Sequence, residues 1–375
     1  MDITIKEVGS RKDLKAFIFL PAKIHKDHPC WVPPIYMDEW HYFSPKKNKA
    51  FGYSDTTRVL AYRGDQVVGR IMGIINRRYN EFKKVNTARF GYLEIWEDEE
   101  VAEALLQHVE DWAKAKGMDN VVGPYGFTDQ DPEGFLIEGF NEPVTIPGYY
   151  NFEWLPPMVE ARGYDKDIDY VVYKVDIPQE EPELYRKIYE RVLKKGDFKV
   201  IEFSKRKQIK PWVTPVLSLM NECYSSSDIY GYTPLEEQEM EELGKRYMLL
   251  LDPRFLKGVT KDGEVVAFVI GMPNMVDGIR KSKGRLFPFG IFKILRAAKK
   301  STQLDLLLGA IKEEYRGRGV DVLMGMRIFA AARKAGMTVM DSHHEMETNL
   351  KVRAEMEKLG GIVYKRFRVY KKSLA

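Results

Sequence analysis

At 375 residues the chain exceeds what one ordinary core accommodates, so two domains are expected. Lys and Arg number 59 against 55 Asp and Glu, a net charge of +4, too small an excess to argue for nucleic acid by itself. Cys30 and Cys223 stand far apart without metal-ligand spacing, which excludes a disulfide scaffold and fits a reducing compartment.

The opening MDITIKEVGSRKDLK has no apolar core of signal-peptide type, and no run of about 18 apolar residues follows, so a cytoplasmic chain is expected. Ile3 to Val8 alternates like a strand and Arg11 to Asp27 reads as a helix. Pro29 to Lys49 predicts an irregular loop with one short helix, and Thr57 to Ile75 a hairpin turning at Gly64-Asp65. A strand at Phe90–Ile95, a helix at Val101–Lys116 stopped by Gly117, and a strand at Asn120–Gly123 follow. Pro124 to Tyr150 is dense in Gly, Pro, Asp and aromatics, the composition of a long pocket-lining loop. Asp129, Asp131 and Glu133 within it suit an amine-bearing acceptor, or equally an acidic turn shielding a domain junction. A short helix ending at Gly163, a strand at Ile168–Val175 and a charged helix up to Gly196 close the first half.

The order then repeats. Phe198–Phe203 reads as a strand, Trp212–Tyr224 as a helix and Phe255–Ile270 as a hairpin turning at Asp262-Gly263. The Leu304–Ile311 strand, a helix from Val320, a strand from Thr338, a helix Asn349–Leu359 and a strand Val363–Tyr370 complete it. GDQVVG (64–69) answers GEVVA (263–267) and AKAKGM (113–118) answers ARKAGM (332–337), so the chain reads as two copies of one α/β unit. The expected division is residues 1–177, a linker helix at 178–196, and residues 197–375.

The copies differ at one turn. Aligned on those repeats, Glu97-Asp98-Glu99-Glu100 stands opposite Arg316-Gly317-Arg318-Gly319. Four acids complement a helix N-terminus but repel phosphate. Arginines and glycines there leave backbone N–H groups open to a diphosphate. Only the second copy is expected to bind one.

The second copy also carries an insertion, GIRKSKGRLFPFGIFKILRAAKK (278–300), with eight Lys or Arg and no acid among Phe, Ile and Leu. As a helix it puts Lys293, Arg296 and Lys300 on one face, with Phe292, Ile294 and Leu295 elsewhere. That composition suits contact with anionic lipid or nucleic acid, a cover over an acyl-bearing pocket, or a solvated lid packed on its own domain.

This element order, with the YRGRG turn, Asn349 opening the next helix and Lys358-Leu359-Gly360 closing it, resembles the GNAT acetyltransferase superfamily, most specifically from Phe198 to Lys372. Two units in one chain resemble the tandem-GNAT proteins. The resemblance implies two GNAT-like α/β units, each a mixed central sheet flanked by helices, with acetyl-CoA or another acyl-CoA as co-substrate and no metal. It implies that the backbone of Ile311 and Glu313 meets pantetheine, that the amides of Arg316, Gly317, Arg318, Gly319 and Val320 meet the diphosphate, and that Asn349 lies near the cofactor. Two positions depart from the family pattern: Asp321 stands where a small residue is usual, and Met356 where a tyrosine often protonates the thiolate.

Acyl transfer to an amine needs a base and a polarised carbonyl. The strand VMDSHHEMETN is unusually polar; extended, it places Asp341, His343, Glu345 and Glu347 on one face. His343 and Glu345 are the candidates for base or proton relay, with Glu347 as alternative; acids near a strand end also commonly solvate an edge or bind Arg. Adjacent His343 and His344 would point to opposite faces and so not share a metal. Cys223 reads as a buried thiol with no histidine near it in sequence.

The expected function is acyl-CoA-dependent N-acyl transfer to a small amine or amino-acid-like acceptor. The alternatives are a non-catalytic acyl-CoA-binding protein, favoured by Asp321 and Met356, and aminoacyl transfer from charged tRNA, favoured only by the basic 280–300 segment.

Overall fold

Val- and Ile-rich runs bounded by Gly, Asp and Asn turns form the strands, and amphipathic segments pack across them. The computed structural model describes residues 2–145, 148–226, 229–248 and 250–374. In the first half the strands are β1 (Ile3–Glu7), β2 (Ser54–Arg63), β3 (Gln66–Asn76), β4 (Thr87–Ile95), β5 (Asn120–Gly123), β6 (Phe135–Glu138) and β7 (Asp165–Asp176). In the second they are β8 (Lys199–Glu202), β9 (Leu256–Lys261), β10 (Glu264–Pro273), β11 (Gln303–Ile311), β12 (Val339–Asp341), β13 (Glu345–Met346) and β14 (Ile362–Ser373).

All belong to one mixed sheet, in the order β1-β2-β3-β4-β5-β14-β7-β12-β11-β10-β9-β8, with β6 on β14 and β13 on β7. The last strand of each half therefore completes the sheet of the other: β14 lies against β5, and β7 against β12. β7 and β14 pair antiparallel along almost their whole length, so the halves share backbone hydrogen bonds and not merely a side-chain interface.

The sequence matches end in matching geometry. The helices Glu99–Ala115 and Val320–Lys334 both stop on a left-handed glycine, Gly117 and Gly336. The following amides, Met118 and Met337, donate to Ala113 and Ala332 carbonyls at 3.0 Å in both cases. The first of these helices buries Val101, Leu105 and Val109 against β2, β3 and β4, each fully buried side chain contributing roughly 1.5–3 kcal/mol.

Three readings need correction. The strand expected from Thr338 breaks at His343, whose φ of 62° is left-handed, so β12 and β13 are separate pieces. The 124–150 loop contains β6. Helices at Arg77–Lys83 and Glu237–Tyr247 were not anticipated; both are mainly polar, so neither carries a broad apolar stripe.

Candidate active site

β11 and β12 run parallel but share only three rungs, ending at Asp305↔Asp341. Beyond that rung the left-handed turn at His343 carries the chain away to pair as β13 with β7. The edge of β11 from Leu306 to Ile311 is left without a strand beside it, and the sheet opens into a wedge. A cavity of about 1480 Å³ fills the wedge. Leu306 to Ile311 and Ser342 to Met346 line it from the two diverging strands, and Arg316, Gly317, Asn349, Asp129 and Glu133 line it as well.

The first half makes the same wedge and closes it. β4 and β5 also share three rungs, Thr87↔Asn120 to Arg89↔Val122. The Tyr125 amide then donates to the Phe90 carbonyl at 2.8 Å, and Tyr42, Tyr92 and Phe127 pack into the gap. Its helix start is equally closed: the Asp98 carboxylate caps the Val101 amide at 3.2 Å, and Arg63 bridges Asp98 and Glu100.

The second turn has the opposite character. Gly317 and Gly319 are left-handed at φ 70° and 82°, and the helix beginning at Val320 has no side-chain cap. Its first amides are therefore available to an anion. Arg316 Nε donates to the Ile311 carbonyl at 3.1 Å, tying the turn to the end of β11, while Arg318 is exposed. A Cβ on Gly319 would stand 2.7 Å from Val192 of the helix Glu183–Lys195. Gly319→Ala is thus expected to destabilise the fold by about 1–2 kcal/mol from the left-handed backbone alone, with the contact adding to that; chemical unfolding would measure it. Asp321 is exposed in the first helical turn.

A cluster of acids and histidines also lines the cavity, Glu133 buried and Asp129 and Glu345 half-buried. Asp129 and Glu345 are pushed up to about 8 and Glu133 to about 7, in each case chiefly by burial. Glu345 is half-buried on the cavity wall, and its carboxylate has no hydrogen-bond partner among the described residues. One Asp129 oxygen, Oδ1, is buried and unpartnered. Tyr170 donates to Glu133 at 3.0 Å. His344 stacks on Tyr170 and packs on Phe367, and burial lowers it to about 4, so it is neutral. His343 Nδ1 accepts from the His344 amide at 2.8 Å. In a neutral His343 that bond places the ring proton on Nε2.

The expected site residues separate into two groups. Ile311, Glu313, Arg316, Gly317, Asn349, His343 and Glu345 all line the cavity. Arg318, Gly319 and Val320 lie just past it, with the Val320 side chain in the core. Glu347 turns away to Lys166 at 2.6 Å. Asp341 is buried beside Lys365 instead of lining the wedge. The turn at His343 is why: it ends the period-of-two pattern, so His343, His344 and Glu345 line the cavity together and the two imidazole centroids are 5.1 Å apart. Opposite facing therefore does not separate the histidines, although no group of three or more metal-ligating side chains is assembled among the described residues. Of the loop acids, Asp131 is occupied in capping the Phe127 and Thr128 amides and in accepting from Tyr42.

Tyr224 was missed. It lines the cavity, lies 3.4 Å from the Gly309 carbonyl of β11 and is charge-coupled to Asp129 and Glu345. The available signal was a helical stripe, Val213, Val216, Leu217 and Tyr224, all on the cavity wall. Cys223 beside it is buried and also lines the cavity.

Solved structures share this architecture over the whole chain. A tandem GNAT protein from the clavulanic acid biosynthesis pathway superposes with a TM-score of 0.57 at 11% identity, covering 100% of this chain and 99% of that one. The fold is that of a tandem GNAT protein. A GCN5-related N-acetyltransferase from Sphaerobacter thermophilus gives a TM-score of 0.53 at 13% identity, covering 99% and 96%. No family model matches the chain. In sequence the chain is 29% identical to a bacterial ceramide synthase of Caulobacter vibrioides over 383 residues, covering 100% of this chain and 98% of that protein. It is 27% identical to protein YghO of Escherichia coli K12 over 375 residues, covering 97% and 94%. Of the two wedges in the tandem GNAT frame, the second is the one left open.

Proposed function

We propose that the protein is an acyl-CoA-dependent N-acyltransferase whose acceptor is a long-chain amine. One observation carries this reading: a single cavity joins an uncapped, arginine-flanked helix N-terminus to buried acids that include an unpartnered carboxylate oxygen. At about 1480 Å³ it exceeds the usual 300–1,000 Å³ of a small-molecule pocket, and aliphatic and aromatic side chains dominate its lining. The similarity to a bacterial ceramide synthase supports the same direction, a ceramide being the amide of a fatty acid and a long-chain amino alcohol.

The turn residues fit a diphosphate. The Arg316 amide already donates to the Glu313 carbonyl at 3.1 Å, so the expectation narrows to the amides that follow it at the uncapped helix start; Arg316 and Arg318 add charge, and the unpaired edge of β11 suits an amide-bearing arm. Acyl-CoA supplies an activated acyl carbon and a thiolate leaving group. Asp129 and Glu133 hold the acceptor ammonium, whose charge lowers their raised pKa values on binding. Glu345 takes its proton, freeing the lone pair. Tyr224 and His343 are the donors for the acyl oxygen and the departing sulfur, in place of the tyrosine absent at Met356. The first half contributes the acceptor end through Asp129 and Glu133.

Two measurements test this. Calorimetry with acyl-CoAs of graded length should show binding that Arg316→Glu weakens about 10- to 100-fold. Incubation with a long-chain primary amine should release free thiol and yield the amide by mass spectrometry. Binding without thiol release would leave an acyl-CoA-binding protein; turnover only with charged tRNA would favour aminoacyl transfer.

A further inference from the structure

The inserted segment folds as two short helices, Val276–Ser282 and Gly290–Lys300, joined by a loop containing Phe287-Pro288-Phe289. Its inner side is held firmly. Ile279 and Ile294 are buried with Met272 and Met275, and Leu286, Ala298 and Leu307 pack on them. A Cβ on Gly278 would meet the Ile294 Cα at 2.5 Å, which is how closely the two helices cross. The segment is therefore a fixed part of the molecule.

Its outer side carries the three most exposed aromatic side chains among the described residues. Phe287, Phe289 and Phe292 are 74%, 68% and 67% exposed, and Leu295 is exposed beside them. Burying such side chains is ordinarily favourable by kilocalories, so three exposed phenylalanines within six residues mark a surface that is covered in use. Lys281, Lys283, Arg285, Lys293, Arg296, Lys299 and Lys300 are exposed around them, and residues 278–300 contain no acid. The expectation that Phe292 and Leu295 would lie away from the cations fails: Phe292, Leu295, Arg296 and Lys299 share one outward face, and only Ile294 turns inward.

We propose that this surface docks on an anionic lipid bilayer, with the Phe287–Phe292 tip entering the acyl boundary and the ring of cations resting on the headgroups. Aromatic residues at a tip with Lys and Arg around it match the layering of a membrane interface, apolar inward and cationic at the phosphate level. A second copy of the chain fits poorly, because a two-fold contact through this patch would oppose its cations to themselves. A nucleic acid would use the charge but has no use for Leu295 or for a tip held by proline. The placement also serves the proposed acceptor chemistry, on which it otherwise does not depend. Met272 and Leu307 are at once the floor beneath the docked helices and part of the cavity wall, so the bilayer that would hold a long-chain amine lies against the cavity that would consume it.

The test is flotation of the full chain with vesicles of phosphatidylcholine containing about one-third phosphatidylglycerol, against pure phosphatidylcholine. Binding to the anionic vesicles alone, weakened by salt, is expected. A Phe287→Ser, Phe289→Ser, Phe292→Ser variant should lose it by at least about tenfold, and a Lys293→Glu, Arg296→Glu, Lys299→Glu variant by about a hundredfold. Light scattering of the same samples detects a dimer, and a labelled RNA detects nucleic-acid binding. No flotation of the wild type, equal flotation of the variants, or a phenylalanine-dependent dimer in place of flotation would overturn the proposal. Thiol release from a short-chain acyl-CoA and a soluble amine reads the acyltransferase separately: both surface variants should retain it, and its absence with intact flotation would count against the enzyme reading and not against the surface.

Discussion

Glu345→Gln is expected to lower kcat by about 10²- to 10⁴-fold while leaving acyl-CoA affinity unchanged. The carboxylate stands on the cavity wall without a partner among the described residues, and burial raises it to about 8. A base with that value is matched to an amine, which must shed a proton near neutrality before it attacks. The wild-type rate should therefore climb with pH until about 8, and the variant should lose that limb. The same shift has a consequence for stability. Asp129, Glu133 and Glu345 all have folded-state values above the ordinary carboxylate range, so between about pH 4.5 and pH 8 the folded chain holds more protons than the unfolded one. Stability then falls as pH rises, by up to about 1.4 kcal/mol per pH unit for each group in that window. Replacing Glu345 by the neutral amide removes one such contribution, so the Tm difference between acid and mildly alkaline buffer should narrow. A variant inactive at all pH values with an unchanged Tm profile would show that Glu345 is not the buried titrating base.

The parts of the site that are local in sequence were legible. Arg316 to Gly319 carries its own instruction, because left-handed glycines before a helix without a cap are a backbone property of four adjacent residues. The acidic counterpart at Asp98 is equally local, a side chain capping an amide three residues on. What escaped depends on partners far along the chain. The exchange of β7 and β14 between the halves leaves no mark on either strand, since a strand alternates in the same way whichever neighbour accepts its hydrogen bonds. The alternation through Asp341, His343 and Glu345 failed at one residue, His343, a histidine in a conformation that a sequence pattern does not announce. Glu347 was lost to Lys166, a residue of the other half. Tyr224 reaches the wedge only because its helix packs over β10 and β11, so its role was not visible in NECYSS.

Lys365→Met is expected to destabilise the protein by about 3–5 kcal/mol, the usual result of leaving a buried charge without its counterpart. The lysine is 1% exposed on the exchanged strand β14. Its Nζ lies 3.8 Å from Asp341 Oδ2 and donates to the Pro143 carbonyl at 3.1 Å. Asp341 and Asp305 are the last rung shared by β12 and β11, so two carboxyls face each other at the apex of the wedge. Burial and then the neighbouring Asp341 push Asp305 up, so the two carboxyls resist being charged together, while burial draws Lys365 down and the two carboxyls beside it hold it up. Asp341 also accepts from the His343 amide at 2.7 Å and from the Tyr364 hydroxyl, which fixes the turn that opens the sheet. Methionine keeps the length of the side chain but not its charge, and the apex should loosen. Chemical unfolding would read the loss, and the double variant Lys365→Met, Asp341→Asn should recover part of it, because neither charge is then left alone. If Lys365→Met unfolds within about 1 kcal/mol of wild type, the apex is held by its hydrogen bonds and the ion pair is incidental. If instead it is destabilised and the double variant is no better, the Pro143 contact is what holds β14 in the other half's sheet. Only recovery in the double variant would tie the open wedge to the Asp341–Lys365 charge pair across the exchanged strand.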